Sequence, residues 1–216
     1  MKKFDYVIFD LDGTLTDNGI GITNSVTYAL KKYGITPPPR EELYKFVGPP
    51  LVNSFMEYYG LTPENAQKCV LYYREYFNDK GIRENVILPG AKELLIRLKN
   101  DGYTLILATG KPEAAAKIVL ENFGISEYFS CVCGVDPYDK LLTKAEVIAR
   151  ALEVSGADPS RSVMVGDRMH DVIGSKAFNI PCIGVTFGYG SEEELKNAGA
   201  VFLAHSFDDV WEYITK

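Results

Sequence analysis

Apolar residues occur along the chain in two alternating patterns, short continuous runs and helical stripes. The runs are rich in β-branched and aromatic residues and end near glycine, threonine or aspartate, which is typical of buried strands. They predict strands at residues 4–9, 103–108, 162–166 and 181–185, with shorter ones near 130–133 and 200–203. The stripes predict helices from about 91 to 101, 112 to 123, 143 to 155, 170 to 178, 191 to 198 and 206 to 214.

Residues 16–87 have a different pattern, with helical periods and turn residues but no predicted strand. One helical stripe comprises Ala66, Val70, Tyr73 and Phe77. A stretch this long exceeds an ordinary connection and has the composition of a small domain. We therefore predict a helical domain at 16–87, inserted into a core domain that comprises 1–15 and 88–216.

The alternation of strands and helices in the remaining sequence predicts the fold class of the core. Continuous apolar strands separated by helices are typical of an α/β fold, in which helices cover both faces of a parallel sheet. Ligands bind such sheets beyond the carboxyl ends of the strands. Residues that follow the predicted strands are therefore the candidates for a functional site.

Composition narrows the classes of partner. The formal net charge is −6, which argues against a nucleic-acid polymer as partner, because such binding needs basic patches. No apolar run approaches the roughly 18 residues that a membrane helix needs. We expect a cytoplasmic protein that acts on a small phosphorylated molecule, as a monomer or alternatively as a dimer.

Carboxylates follow two of the predicted strands. Asp10 and Asp12 come after the first strand, and Asp167 follows the strand at 162–166, with Asp171 four residues further on. Positions i and i+2 of an extended segment face the same way, so we expect the Asp10 and Asp12 side chains to converge while Leu11 turns to the core. Oxygen ligands without histidine or cysteine favour Mg²⁺. The alternative is that these are ordinary turn aspartates.

Two lysines occupy unfavourable positions near predicted helix starts. Thr143 and Glu146 match a capping box, so Lys144 lies in a first turn, where the helix dipole disfavours positive charge. Lys111 precedes Pro112 and has the same problem. A phosphate bound beside the helix start would offset the unfavourable positive charge in both cases. The alternative is a solvated side chain that extends away from the helix, which for Lys111 by itself is the simpler interpretation.

Four segments together resemble the motifs of the haloacid dehalogenase superfamily. These are DLDGTLTD at 10–17, ATGKP at 108–112, Lys144, and GDRMHD at 166–171. The resemblance implies a Rossmann-like three-layer core with a helical cap inserted after the first motif. Finer stretches, such as FVGPPL and GVTFGYGSEEEL, are similar to phosphoglycolate-phosphatase-like proteins and dehalogenase-like 5′-nucleotidases.

The resemblance also implies roles for individual residues. Asp10 would be the nucleophile and a Mg²⁺ ligand, and Asp12 the general acid and base, with its backbone carbonyl on the metal. Asp167 would bind Mg²⁺, and Asp171 would orient Lys144 or a nearby water molecule. Thr109 and Lys144 would bind and neutralise the phosphoryl group. Gly110 and Lys111 would contact substrate, as would Gly48 of the cap.

One departure from the phosphoglycolate phosphatase pattern concerns Lys144. Those proteins often carry proline straight after this lysine, whereas here Ala145 follows, and Lys140 is a possible substitute for Lys144. The departure favours a nucleotide over phosphoglycolate as substrate.

These observations predict a Mg²⁺-dependent phosphatase that forms an aspartyl-phosphate, of the 5′-nucleotidase or phosphoglycolate phosphatase type. The same motifs are compatible with a sugar phosphomutase. A dehalogenase is disfavoured, because it would have no use for Asp12 or a metal. A regulatory module that binds phosphate without turnover is the non-enzymatic alternative.

Overall fold

The chain folds as two units whose boundaries lie at residues 16/17 and 86/87. The structure is a computed structural model, and it describes residues 2–135 and 143–216. The core unit comprises Met1–Thr16 and Ile87–Lys216, and the helical unit comprises Asp17–Val86. Within the described ranges, no helix is both long enough and apolar enough to cross a bilayer.

The described residues contain eight strands. They are β1 (Tyr6–Phe9), β2 (Thr16–Asp17), β3 (Val86–Ile87), β4 (Thr104–Pro112), β5 (Phe129–Val135), β6 (Ser162–Gly166), β7 (Cys182–Val185) and β8 (Phe202–Ala204). β2 and β3 form a two-stranded sheet, and the other six form one sheet in the order β5-β4-β1-β6-β7-β8. Neighbouring strands of the six-stranded sheet are parallel.

Nine α-helices lie in the same described ranges. They are α1 (Gly19–Tyr33), α2 (Leu51–Tyr59), α3 (Pro63–Asp79), α4 (Ala91–Asn100), α5 (Glu113–Asn122), α6 (Lys144–Ser155), α7 (Met169–Lys176), α8 (Glu192–Ala198) and α9 (Phe207–Thr215). Short 3₁₀ segments occur at Arg40–Phe46, Gly81–Arg83, Ser126–Tyr128 and Pro159–Arg161. The predicted α/β architecture is confirmed.

Three local predictions were wrong. The first strand begins at Tyr6 rather than at residue 4. The strand predicted at 103–108 continues to Pro112, because after a register shift its backbone pairs again with β5, at Pro112↔Val135. Residues 16–87 do contain strand, in β2 and β3, but two-residue strands are too short to produce a periodic pattern.

Both faces of the central strands are buried. Val7, Ile8 and Phe9 of β1 have no exposed surface, and the same holds for Leu105–Leu107 and Val163–Val165. On one face, Ile8, Ile106 and Met164 pack in a cluster with residues of α6, α7 and α8. On the other, α4 contacts β4 and α9, and α9 contacts β8. Burial on both faces explains why these strands are apolar throughout.

In the helical unit, the backbone of α1 at Gly21 lies unusually close to the backbone of the 3₁₀ segment Gly81–Arg83. A methyl group added at Gly21 would lie 2.1 Å from the Gly81 carbonyl oxygen, and one at Gly81 would lie 3.0 Å from the Gly21 carbonyl oxygen. Gly21 lies in α1, and Gly81 lies just after α3. Glycine is therefore needed at Gly21 for packing, not for an unusual backbone conformation.

We expect Gly21→Ala to destabilise the protein, although alanine is about 1 kcal/mol better than glycine in a helix. The clash with the Gly81 backbone should lower the free energy of unfolding by about 1–3 kcal/mol. Thermal unfolding followed by circular dichroism would measure it. Ile20→Ala is the neighbouring control, because Ile20 is 48% exposed. A Gly21→Ala protein that melts at or above the wild-type temperature would contradict the prediction.

Candidate active site

Six charged side chains meet beyond the carboxyl ends of the central strands. Four are aspartates and two are lysines, and we call them the charged cluster: Asp10, Asp12, Lys111, Lys144, Asp167 and Asp171. The chain positions follow from the fold. β1 ends before Asp10, β6 ends before Asp167, and Lys111 lies at the end of β4. The first residue of α6 is Lys144, and Asp171 lies in the first turn of α7.

Three of the aspartates form an acid triad. Side-chain oxygens of Asp10, Asp167 and Asp171 all lie within 4.8 Å of one another. The three residues are buried, with exposed fractions of 9%, 0% and 1%. Burial, together with the charges of Asp171 and Asp10, raises the pKa of Asp167 well above its usual value. Burial also raises the pKa of Asp171 to about 6, although Lys144 opposes that shift.

Lys144 joins two members of the triad. Its ammonium nitrogen lies 2.8 Å from Asp10 Oδ1 and 2.7 Å from Asp171 Oδ1. Burial by itself would lower the pKa of Lys144, but the charges of Asp10 and Asp171 outweigh it and raise this pKa above the usual value. Thr143 and Glu146 form the predicted capping box at the start of α6. The lysine is thus held rigidly against Asp10.

Asp12 has a different partner. Lys111 Nζ lies 2.8 Å from Asp12 Oδ2 and 3.2 Å from Asp12 Oδ1. Leu11 is buried as expected, but the side-chain oxygens of Asp12 lie outside the acid triad. The predicted convergence of the Asp10 and Asp12 side chains stays a prediction.

The lysine environments also correct two expectations. Lys111 is 7% exposed, so the interpretation of a solvated side chain is wrong. The anions that compensate Lys111 and Lys144 in the structure are carboxylates of the protein itself. The positions of these lysines therefore do not by themselves require a bound phosphate.

Asp167 is held by Thr14 and by a loop at residues 187–190. None of these residues was predicted from the sequence to belong to the site. Thr14 Oγ1 donates to Asp167 Oδ1 at 3.2 Å, and the Tyr189 amide donates to Asp167 Oδ2 at 2.8 Å. A methyl group at Gly188 would lie 2.3 Å from Asp167 Cβ, and one at Gly190 would lie 2.0 Å from the Asp167 carbonyl oxygen. The glycine pair within FGYG was the available signal for such a close backbone approach.

Glu194 holds the segment between Asp167 and Asp171 in place. The sequence did not predict Glu194 as a site residue. Glu194 Oε1 accepts hydrogen bonds from Arg168 Nε at 2.9 Å and from the Met169 amide at 2.8 Å. Asp171 Oδ2 accepts from the Arg168 amide at 3.1 Å. These contacts set where α7 begins and hence the position of Asp171.

The remaining predicted site residues have varied positions. Thr109 is 1% exposed, and its hydroxyl accepts a hydrogen bond from the Lys111 amide at 3.2 Å. Gly110 is exposed, and none of the described residues has a heavy atom within 4 Å of an added methyl group there, apart from its chain neighbours. Gly48 belongs to the helical unit and has a φ of 102°. Lys140 lies outside the described residues.

The acid triad fits a divalent cation. It offers buried carboxylate oxygens, which are the donors that Mg²⁺ prefers. Within the charged cluster, four carboxylates face two ammonium groups, which leaves two negative charges in excess. Asp171, which the resemblance places beside the metal ligands, lies within the triad, whereas the Asp12 carboxylate does not.

Comparison with known proteins gives consistent matches over nearly the whole chain. The profile of the haloacid dehalogenase-like hydrolase family matches residues 7–185. A 5′-nucleotidase from Pseudomonas aeruginosa is 40% identical over 194 residues, which cover 90% of this chain and 88% of that protein. Phosphoglycolate phosphatases are also among the matched relatives.

Two further matches extend this picture. The tyrosine-protein kinase PtkA from Mycobacterium tuberculosis is 36% identical over 200 residues, which cover 93% of this chain and 68% of the kinase. The crystal structure of a predicted phosphatase from Clostridium acetobutylicum superposes with a TM-score of 0.94 at 47% identity and covers 98% of each chain.

Gly190→Ala should disturb the acid triad through the backbone of Asp167. The added methyl group would lie 2.0 Å from a main-chain oxygen, which cannot move as a side chain can. We expect a melting temperature several degrees lower and a smaller rise on addition of Mg²⁺, both measured by thermal shift. For stability, the matched control is Gly110→Ala, whose added methyl group meets no atom among residues 2–135 and 143–216 other than its chain neighbours. Equal melting temperatures for Gly190→Ala and wild type would refute this packing argument.

Stabilisation by Mg²⁺ should depend on pH. Because the pKa of Asp171 is raised to about 6 and that of Asp167 is raised as well, the folded metal-free protein takes up protons before the unfolded chain does as the pH falls. These protons stabilise the metal-free fold and compete with the cation. We therefore expect the Mg²⁺-induced rise in melting temperature, measured against EDTA-treated protein, to be largest at pH 7 and to shrink towards pH 5. A constant rise across this range would contradict the prediction.

Proposed function

The chain belongs to the haloacid dehalogenase-like hydrolase family and is a phosphatase, and we propose that it hydrolyses small phosphomonoesters with Mg²⁺ through an aspartyl-phosphate on Asp10. The observation that carries this proposal is the environment of Asp10. Its carboxylate lies beside the Lys144 ammonium and within 4.8 Å of two further carboxylates. A nucleophile so placed can attack an anionic phosphate if the surrounding charge is balanced.

Four residues would form the metal site. The side chains of Asp10 and Asp167 and, by resemblance, the Asp12 carbonyl would hold Mg²⁺, with Asp171 at the same site. Bound there, Mg²⁺ would supply positive charge beside the nucleophile and the phosphoryl group. Thr14, Tyr189 and Glu194 support this role indirectly, because their hydrogen bonds fix Asp167 and the start of α7.

The reaction proceeds in two displacements at phosphorus. An Asp10 carboxylate oxygen forms a bond to phosphorus while the bond to the leaving oxygen breaks, and Asp12 gives that oxygen a proton when it needs one. Water then attacks the aspartyl-phosphate, Asp12 takes the water's proton, and the bond between Asp10 and phosphorus breaks. Lys144 remains beside Asp10 and offsets its charge in both steps.

Other predicted residues would bind substrate. The Thr109 hydroxyl and the Gly110 backbone lie at the end of β4, where a phosphate beside Asp10 could meet them. Gly48 and its loop in the helical unit would contact the leaving group, which is a proposal from family resemblance. A Gly48 variant with an unchanged substrate profile would count against it.

We propose a nucleoside 5′-monophosphate as the leading substrate class, with phosphoglycolate second. The support is the relative named 5′-nucleotidase and the alanine that follows Lys144. A screen of phosphorylated metabolites would test this by comparing nucleoside monophosphates, phosphoglycolate and sugar phosphates for release of inorganic phosphate. A preference for phosphoglycolate would reverse the order, and a flat profile would indicate a generalist.

The fate of the phosphoryl group distinguishes the alternatives. Transfer to water defines a phosphatase, and transfer back to a sugar defines a phosphomutase. Transfer to a tyrosine would match the name of one relative. Activity that survives EDTA would favour a dehalogenase, and a protein that binds phosphate without turnover would be a regulatory module.

Asp10→Asn should abolish phosphatase activity and the phosphoenzyme. Because the amide cannot act as the nucleophile, we expect kcat on p-nitrophenyl phosphate to fall by roughly 10³-fold or more. Rapid acid quenching with ³²P-labelled substrate should recover label on the wild-type protein and none on the variant. The matched control is Asp5→Asn before the same strand, where the carboxylate pairs with Arg161. Undiminished turnover by Asp10→Asn would end the proposal.

A further inference from the structure

Lys111 and Asp12 form a largely buried ion pair. The ammonium contacts both Asp12 oxygens, at 2.8 and 3.2 Å. The Lys111 side chain is 4% exposed and that of Asp12 is 17% exposed. Removing an ammonium from water is costly unless it is paired. The position of Lys111 is therefore coupled to that of the Asp12 carboxylate.

The sheet explains how the two residues meet. The last registered pair between β1 and β4 is Phe9↔Leu107, after which β4 continues to Pro112. Lys111 therefore lies beyond the end of β1, beside the turn that carries Asp12. On the other side of this turn, Thr16 Oγ1 lies 3.5 Å from Asp12 Oδ1, and the Gly13 amide donates to the Thr16 carbonyl at 2.7 Å. The Asp12 carboxylate is thus held between a lysine and a hydroxyl.

This placement gives the two aspartates of the first motif separate cations. Lys144 pairs with Asp10, and Lys111 pairs with Asp12. When water attacks the aspartyl-phosphate, the general base must lie where it can take the proton of that water, and Lys111 fixes where the Asp12 carboxylate lies. With a substrate whose leaving group departs without a proton, only this second displacement needs Asp12.

We propose that Lys111 is a positioning residue for that second step. This inference rests on the proposed function and deepens it, because it moves Lys111 from substrate binding to the support of Asp12. Lys111 holds the Asp12 carboxylate where it can take the proton of the attacking water. Without Lys111, the aspartyl-phosphate still forms from a substrate whose leaving group departs without a proton, but it hydrolyses slowly.

Lys111→Met tests the inference with p-nitrophenyl phosphate as substrate, because its leaving group departs without a proton. We expect kcat to fall by roughly 10-fold or more, since general base catalysis contributes about 10²–10⁴-fold. We expect KM to fall in parallel, so that kcat/KM stays close to the wild-type value. Rapid mixing should show a burst of about one p-nitrophenolate per protein, and acid quenching should trap the phosphoenzyme.

Three variants serve as references. Asp12→Asn should also accumulate phosphoenzyme, because it removes the proton acceptor itself. Lys111→Arg should restore part of kcat by keeping a cation beside Asp12. Lys117→Met is the matched control, because this neighbouring lysine pairs with Glu113 and its side chain is 53% exposed.

The possible outcomes separate the two proposals. A raised KM without trapped phosphoenzyme in Lys111→Met would assign Lys111 to substrate binding and overturn the inference. Unchanged kinetics would overturn it as well. If Asp12→Asn accumulates phosphoenzyme and Lys111→Met does not, the inference fails while the proposed function stands. Absence of any phosphoenzyme and of turnover in the wild-type protein would instead reject the proposed function.

Discussion

The site depends on keeping four carboxylates close together where little water can reach them. Mutual repulsion and desolvation both oppose that arrangement, and the raised pKa values of Asp167 and Asp171 express the cost. Two lysines offset half of the charge, and each is itself buried. The remaining two negative charges are what makes the acid triad suited to a divalent cation. The same charge balance that stabilises the site therefore prepares it for an anionic substrate.

The lysines divide the aspartates rather than neutralising them as one group. Lys144 approaches from the start of α6 and joins Asp10 to Asp171. Lys111 approaches from β4 and holds Asp12. This division suits a two-step reaction, because the nucleophile and the proton-transfer group need different environments although only Leu11 separates them in sequence.

Backbone packing gives the site its rigidity. Gly188 and Gly190 let one loop approach Asp167 more closely than any side chain would permit, and that loop's Tyr189 amide binds the carboxylate. Glu194 fixes the start of α7 and with it Asp171. Preorganised donors of this kind lose little entropy when a ligand arrives, and so contribute more to binding and catalysis than mobile ones do.

The sequence by itself determined the α/β core, the helical insertion and the residues that follow each strand, because hydrophobic periodicity and turn residues are local properties. It also marked Lys144 as a cation in an unfavourable helical position. Only the tertiary structure decided which carboxylate each lysine contacts and that Asp171 lies within the acid triad while the Asp12 side chain lies outside it. Several of those contacts join residues about 100 or more positions apart, such as Lys111 with Asp12 and Lys144 with Asp10. They depend on strand lengths, on where the extended backbone ends and on glycine packing. Hydrophobic periodicity does not reveal any of these features.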